Sequence, residues 1–150
     1  MLLSRKISTP EILAVLFYPA GLFLRIDVVT SAIPESRDFV SFLSNEPTKS
    51  ERSGALAAIR SLFRQLHRNG VLHPDLNARN ILLSRNPKGP WRAWLLDVDA
   101  VRIETPDDPR TDKANRNRLL RSLLKRSRMG DLGIGENHVR ILWRELFPVG

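Results

Sequence analysis

Two polar loops, each set between short apolar runs, constrain the fold of this chain more than any other feature. The first lies within residues 71–83, and the second follows the apolar run 94–96. Such runs are too short for helices and are typical of strands, which present the polar side chains between them at strand ends. We therefore expect Asp75, Asn80 and Asp97 to face one cleft.

The spacing of these residues suits the transfer of a phosphoryl group. That reaction needs a carboxylate that orients the attacking hydroxyl and accepts its proton, and oxygen ligands for magnesium ions on the phosphates. His73, Asp75 and Asn80 stand in the order His-x-Asp-Leu-x-x-x-Asn, which supplies a carboxylate and an amide from one loop. Asp97 supplies the second carboxylate. The segment resembles the catalytic loop and metal-binding strand of the protein-kinase-like superfamily.

The residues around these motifs resemble a narrower family. Two segments are similar to the lipopolysaccharide core kinases, in particular the 3-deoxy-D-manno-octulosonic acid (Kdo) kinases: LHPDLNARNILL at 72–83 and WLLDVD at 94–99. In that family an Asp-hydrophobic-Asp triplet stands where protein kinases carry Asp-Phe-Gly. The resemblance covers residues 15–128 and implies an ATP-dependent phosphotransferase that acts on a sugar hydroxyl of the lipopolysaccharide inner core.

The resemblance also implies roles for the acidic and amide side chains. Asp75 is expected to be the catalytic base. Asn80 and Asp97 are expected to bind ATP through Mg²⁺, as its protein ligands. For Asp99, metal contact and simple surface exposure both stay open. Capping of turns is the alternative for Asp75 and Asn80, and the order and spacing of the two motifs together favour the catalytic interpretation.

Other residues of the first loop depart from the protein-kinase pattern. Pro74 replaces the Arg that grips a phosphorylated activation loop in many protein kinases, so regulation by loop phosphorylation is not expected. Asn77 stands where a phosphate-contacting Lys is often found. Arg79, four residues after Asp75, resembles the arrangement in tyrosine kinases and is the candidate stabiliser of the transferring phosphate. His73 is expected to support the loop backbone without transferring protons.

Groups that cover a nucleotide in a complete kinase-like fold have no counterpart in the sequence. No G-x-G-x-x-G occurs, and the only Lys within residues 1–32, Lys6, lies outside any strand pattern. Two strand-like runs, 12–18 and 22–29, flank a Pro-Ala-Gly turn and predict a hairpin. The resemblance makes this hairpin the last strands of a small lobe, with residues 27–30 near the adenine. A signal peptide is the rival interpretation, which Pro19 and Gly21 disfavour.

The fold expected from these features is α+β, a protein-kinase-like large lobe with a hinge hairpin and with the small lobe largely missing. We expect one domain over residues 1–150, with 1–32 as the hinge and residual small-lobe hairpin and 33–150 as the large lobe. Periodicity and capping residues predict the other elements. They are a short helix around 39–43, a helix from Thr48 or Ser50 to 69–70, an antiparallel pair 81–84 and 91–96, and helices 111–128 and 136–147.

Composition sets limits on domain count and partners. The 150 residues, 42% hydrophobic, suffice for one domain with a core but fall short of a two-lobed kinase. The absence of Cys excludes disulfides and thiolate metal sites. A net charge of +8 predicts a polyanionic partner without identifying it. The resemblance favours a lipopolysaccharide or lipid A precursor bearing Kdo, and nucleic acid is not the expected partner.

Helix 111–128 is strongly basic, and both a solvated face and a docking face for an anionic substrate or membrane stay open. Its cations are Lys113, Arg116, Arg118, Arg121, Lys125, Arg126 and Arg128. The resemblance implies a cytoplasmic protein, with peripheral attachment to the cytoplasmic face of the inner membrane as an option. Two other functions compete: another small-molecule kinase of the superfamily, and a non-catalytic remnant or polyanion-binding module. A Gly-rich loop and Lys encoded upstream would favour the enzyme.

Overall fold

The computed structural model describes Leu2, residues 7–85 and residues 89–148. Its elements mix strands and helices, as expected. In chain order they are β1 (Ile12–Ala20), β2 (Phe23–Thr30), β3 (Ser36–Asp38), α1 (Phe39–Ser44), α2 (Lys49–Arg68), β4 (Val71–Leu72), a 3-10 turn (Ala78–Asn80), β5 (Ile81–Arg85), β6 (Trp91–Leu95), β7 (Arg102–Ile103), α3 (Pro109–Arg128) and α4 (Glu136–Leu146). Within the described residues, no helix has the length and apolar character needed to span a membrane.

The predicted hairpin is confirmed. β1 and β2 pair antiparallel, and Ala20 lies opposite Phe23, so Gly21 and Leu22 form the turn. Gly21 has a φ of 63°, a left-handed conformation that suits glycine. Every large apolar side chain of the hairpin is at least 42% exposed, and Leu22 is fully exposed. Both faces of this two-stranded sheet are therefore uncovered.

α2 is the central helix of the core. Its buried side chains recur at helical spacing, as predicted, and are Ala55, Leu56, Ala58, Ile59, Leu62, Phe63 and Leu66. Thr48 is the N-cap: its hydroxyl accepts from the Glu51 N–H, and the Glu51 carboxylate accepts from the Thr48 N–H. The Thr48 hydroxyl also donates to the Glu51 carboxylate at 2.7 Å, and this bond, followed by that from the Thr48 N–H, holds the pKa of Glu51 below its ordinary value. The last helical residue is Arg68, and Asn69 is the C-cap. Gly70 follows with a φ of 62°.

Two small sheets carry the loops of interest. β3, β5 and β6 form one sheet, with β5 in the middle and Leu82 opposite Trp94. β4 pairs antiparallel with β7 in the other. The predicted pair of strands after the first loop is thus confirmed, while residues 86–88 of its connecting turn lie outside the described residues. The Asn80 end of β5 and the Leu95 end of β6 meet at the same edge.

The C-terminal helices differ in detail from the prediction. α3 begins at Pro109, two residues earlier than expected, because Asp108 caps it by accepting from the Arg110 N–H. In α4 the side chain of Ile141 is 50% exposed, although Val139, Leu142 and Leu146 of the same helix are buried. The segment before β1 also contributes to the core, since Ile7 is buried and the Leu95 N–H donates to the Ser8 carbonyl at 2.8 Å. Lys6 lies outside the described residues.

Candidate functional site

The first loop leaves β4 at Leu72 and closes on itself through backbone and amide contacts. The side-chain amides of Asn77 and Asn80 both donate to the Asp75 carbonyl, each at 3.1 Å. The Asn80 N–H donates to the Asn77 carbonyl, also at 3.1 Å. Asp75 and Arg79 are exposed and Asn80 is half-buried. The loop is a compact turn that leaves the carboxylate of Asp75 accessible.

His73 joins the first loop to the second. Its side chain is 1% exposed. Nδ1 accepts from the Asp75 N–H at 3.3 Å, so the proton sits on Nε2, which donates to the Leu96 carbonyl at 3.1 Å. Both ring nitrogens are therefore engaged by backbone groups of the two loops. This arrangement gives the buried imidazole the geometry of a structural brace.

A second link joins the loops at the strand edge. The Leu96 N–H donates to the Asn80 carbonyl at 2.8 Å, one residue before Asp97. Through His73 and Asn80 the backbone next to Asp97 is tied to both ends of the Asp75 loop. The structure thus ties together the backbone segments that carry Asp75, Asn80 and Asp97. Asp99, two residues further along, is exposed.

Asp97 has an unusual backbone conformation. Its φ is 55°, in the left-handed region that residues with a Cβ seldom adopt. Such strain costs about 1–3 kcal/mol and persists where surrounding contacts impose it, often at functional sites. Here the bonds on the preceding Leu96 hold the chain in place.

α3 supports the backbone of the first loop, through residues whose role the sequence analysis did not identify. Asn115 is 1% exposed; its Oδ1 accepts from the His73 N–H at 3.1 Å, and its Nδ2 donates to the Val71 carbonyl at 2.8 Å. Arg118 Nε donates to the Pro74 carbonyl at 2.7 Å. The Ala78 N–H donates to Ser122 Oγ at 3.0 Å. Three consecutive turns of one helix therefore fix the loop backbone.

One sequence signal could have found Asn115. The buried row of α3 runs Thr111, Asn115, Leu119 and Leu123, at intervals of four residues. A polar amide within such a row must find partners, because a buried polar group without hydrogen bonds is destabilising. The partners themselves, 42 and 44 residues away, are not readable from the pattern.

Replacing Asn115 by Ala is expected to lower the free energy of unfolding by about 2–4 kcal/mol, because the His73 N–H and the Val71 carbonyl lose their partners in the interior. Denaturant unfolding measures the change. Asn117→Ala is the matched control, since Asn117 is exposed on the same helix. Asn117→Ala should lower the free energy of unfolding by no more than about 0.5 kcal/mol. Equal losses in the two variants would contradict the bracing role of Asn115.

The donor set fits magnesium bound together with a nucleotide. The described residues contain no cluster of three or more His, Cys, Asp or Glu side chains arranged for a metal. Mg²⁺ does not require such a cage, since it is held through one or two carboxylates plus substrate phosphates and water. Asp97 and the amide of Asn80 are oxygen donors of that kind on linked segments, with Asp99 exposed nearby.

The WaaP chain of a solved complex has a similar fold. That structure, WaaP in complex with acyl carrier protein, matches with a TM-score of 0.67 at 18% identity, over 99% of this chain and 63% of the other. The likeness shows that the two chains share an architecture.

Sequence relatives point to the same family. A 3-deoxy-D-manno-octulosonic acid kinase of Vibrio parahaemolyticus is 32% identical over 124 residues, which are 83% of this chain and 48% of the relative. One of Xanthomonas oryzae pv. oryzae is 34% identical over 124 residues, again 83% of this chain and 46% of the relative. The chain thus spans about half the length of these curated relatives. The family model for the lipopolysaccharide kinase (Kdo/WaaP) family matches residues 1–140, so the chain belongs to that family.

Proposed function

We propose that this chain is the large lobe of an ATP-dependent kinase that phosphorylates a hydroxyl of Kdo, the sugar acid named in its relatives, on a lipopolysaccharide precursor. The observation that carries the proposal is the double link between the two loops. The Leu96 backbone bonds to His73 and to Asn80, which draws Asp75, Asn80 and Asp97 to one strand edge.

Each residue has a role in this proposal. Asp75 accepts the proton of the acceptor hydroxyl and orients it for attack on the terminal phosphate. Asn80 and Asp97 hold Mg²⁺ on the nucleotide, with Asp99 as a further candidate ligand. The bound metal neutralises the charge of the phosphates. Arg79, exposed beside the loop, stabilises charge at the transferring phosphate.

The β1–β2 hairpin is the remaining part of a small lobe in this proposal, and residues 33–150 are the large lobe. The sequence of β1 is apolar on both faces, a pattern typical of strands covered on both sides, whereas β2 carries Arg25 and Asp27 on one face. Yet the large apolar side chains of the hairpin are exposed, and an isolated two-stranded hairpin is marginal in water. A further sheet that covers the hairpin and closes over the phosphates would complete the kinase. The relatives, about twice as long, have room for one.

We place the protein at the cytoplasmic face of the inner membrane, where a lipid-linked acceptor would be presented. Several α3 cations are neutralised within the chain: Arg116 pairs with Asp112 at 2.8 Å, Arg126 with Asp131 at 2.8 Å and Arg128 with Glu136 at 2.8 Å. In the part of the chain that the structure describes, Lys113, Arg118, Arg121 and Lys125 form no ion pair, and Arg118 is half-buried and donates to the Pro74 carbonyl. Attraction to an anionic leaflet therefore rests on the exposed Lys113, Arg121 and Lys125, at about 1 kcal/mol each.

Nucleotide binding tests the proposal. Mg-ADP or Mg-ATP is expected to raise the melting temperature, because a ligand of the folded state adds about 2.7 kcal/mol when present at a hundred times its Kd. Asp97→Ala should abolish this shift. Asp107→Ala is the control, since Asp107 is a second Asp with positive φ, near His67 and away from the site. An undiminished shift in Asp97→Ala would remove Asp97 from the ligand set, and no shift in any variant would favour a non-catalytic module.

A further inference from the structure

One face of α3 runs alongside the catalytic loop. Arg118 contacts the Pro74 carbonyl at 2.7 Å, and Ser122, one turn later, contacts the Ala78 N–H at 3.0 Å. Residues spaced by three or four share a helix face, so Lys125 is next on this face after Ser122. Lys125 therefore extends by one further turn the helix face that contacts the loop.

The charges on this face lack the partners that other α3 cations have. Arg79 and Lys125 are exposed, and Arg118 is half-buried with its Nε bound to a neutral carbonyl. Across the described ranges 7–85 and 89–148, none of the three forms an ion pair with a carboxylate. Three cations set beside one loop repel each other unless an anion lies among them. The arrangement is that of a binding surface for a negatively charged group.

This surface lies on one side of the loop, and the candidate nucleotide site lies on the other. Asn80 meets the Leu96 strand edge through its carbonyl, whereas Pro74 and Ala78 meet α3. A nucleotide held by the strand edge reaches Asp75 from the first side. The acceptor hydroxyl must approach in line with the transferred phosphate, from the opposite side. An anionic group on the acceptor would therefore meet α3.

We infer that Arg118 and Lys125 bind the carboxylate of the sugar acid acceptor and thereby turn its hydroxyl toward Asp75. The inference rests on the proposed function and adds the chemical group by which the acceptor is recognised. A sugar acid carries its carboxylate on the same small molecule as the hydroxyl that reacts. A guanidinium and an ammonium beside the loop bind a carboxylate through charge-assisted hydrogen bonds. Arg79 keeps its proposed role at the transferring phosphate.

The test compares two free ligands in the presence of Mg-ADP: 3-deoxy-D-manno-octulosonic acid and its methyl ester, which keeps the hydroxyls and lacks the charge. NMR titration or calorimetry measures both affinities. The wild-type chain is expected to bind the acid about tenfold or more tightly than the ester. Lys125→Met and Arg118→Gln should remove that preference. Lys113→Met, the same loss of charge elsewhere on α3, should keep it.

Three results would overturn the inference: equal affinity of the wild-type chain for acid and ester, no binding of the acid, or equal loss of preference in Lys113→Met. A leaflet site is the competing explanation. Binding to anionic vesicles without the sugar acid, if Lys125→Met and Arg118→Gln weaken it as strongly as they weaken binding of the acid, would overturn the inference as well. Thermal protection by Mg-ADP is recorded on the same samples. Thermal protection by Mg-ADP without a preference for the acid over the ester refutes only this inference. A preference for the acid without thermal protection by Mg-ADP refutes only the nucleotide site.

Discussion

Purified residues 1–150 are expected to show no Asp75-dependent phosphorylation of a Kdo-bearing lipid A precursor, whereas a chain that also carries a small lobe should phosphorylate it. Phosphoryl transfer depends on positioning and on charge stabilisation by several groups at once. Loss of a single stabilising donor costs about a hundredfold to a thousandfold in rate. Residues 1–70 offer neither a G-x-G-x-x-G loop nor a Lys in a strand pattern, so several stabilising donors are absent from the tested residues 1–150.

Radiolabel transfer from ATP to the lipid measures this activity. Asp75→Asn in the longer chain is the control that assigns the transfer to the proposed base. Asn keeps the size of the side chain and removes its basicity. Robust turnover by residues 1–150 that is lost in Asp75→Asn would contradict the need for a small lobe and support the site. Turnover by the longer chain that survives Asp75→Asn would contradict the role of Asp75.

The second large effect concerns the uncovered hairpin. We expect residues 1–150 to associate through it, and replacement of Phe17 and Leu24 by Asn to weaken that association by about a hundredfold or more. Phe17 is 60% and Leu24 58% exposed, and the two lie on the same face of the sheet, because Leu24 is opposite Pro19, two residues after Phe17. Covering such a side chain contributes about 1.5–3 kcal/mol, and 1.4 kcal/mol is a factor of ten in an equilibrium constant.

Sedimentation velocity over a range of concentrations measures the association. Ile141→Asn is the matched control, because Ile141 is 50% exposed on α4, away from the hairpin. Its effect should be small. A monomeric wild-type chain at high concentration, or equal weakening by Ile141→Asn, would show that the hairpin is not the adhesive surface. Loss of association on adding a covering sheet would agree with the small-lobe proposal.

Local pattern was enough to predict most elements. The helical spacing of Leu56, Ile59, Phe63 and Leu66 identified α2, and Thr48 was one of two residues proposed as its cap. The short apolar runs around the two loops identified β5 and β6, and hence the shared edge at which Asp97 and Asn80 are linked. These features depend on neighbours in sequence, which is why one sequence reveals them.

Long-range contacts were not predictable in the same way. Asn115 reads as an ordinary helical residue until His73, 42 positions earlier, lies against it. From the sequence, Arg116 is one of the cations available for docking. In the structure it pairs with Asp112, and its guanidinium carbon lies 4.4 Å from the centre of the Phe147 ring. Ile141 fits the apolar stripe of α4 and is nevertheless half exposed. In each case tertiary packing, and not helix periodicity, decides what the side chain does.

The central claim is that Asp97 and Asn80 hold a divalent metal on a nucleotide beside Asp75. Mn²⁺ accepts the same oxygen ligands as Mg²⁺ and broadens NMR signals close to it. With ADP present, Mn²⁺ is expected to broaden the side-chain amide of Asn80 and the backbone signals of Asp97 first, while those of Val139 on α4 stay sharp. Broadening that is unchanged in Asp97→Ala, or that centres on any other part of the chain, would contradict the claim.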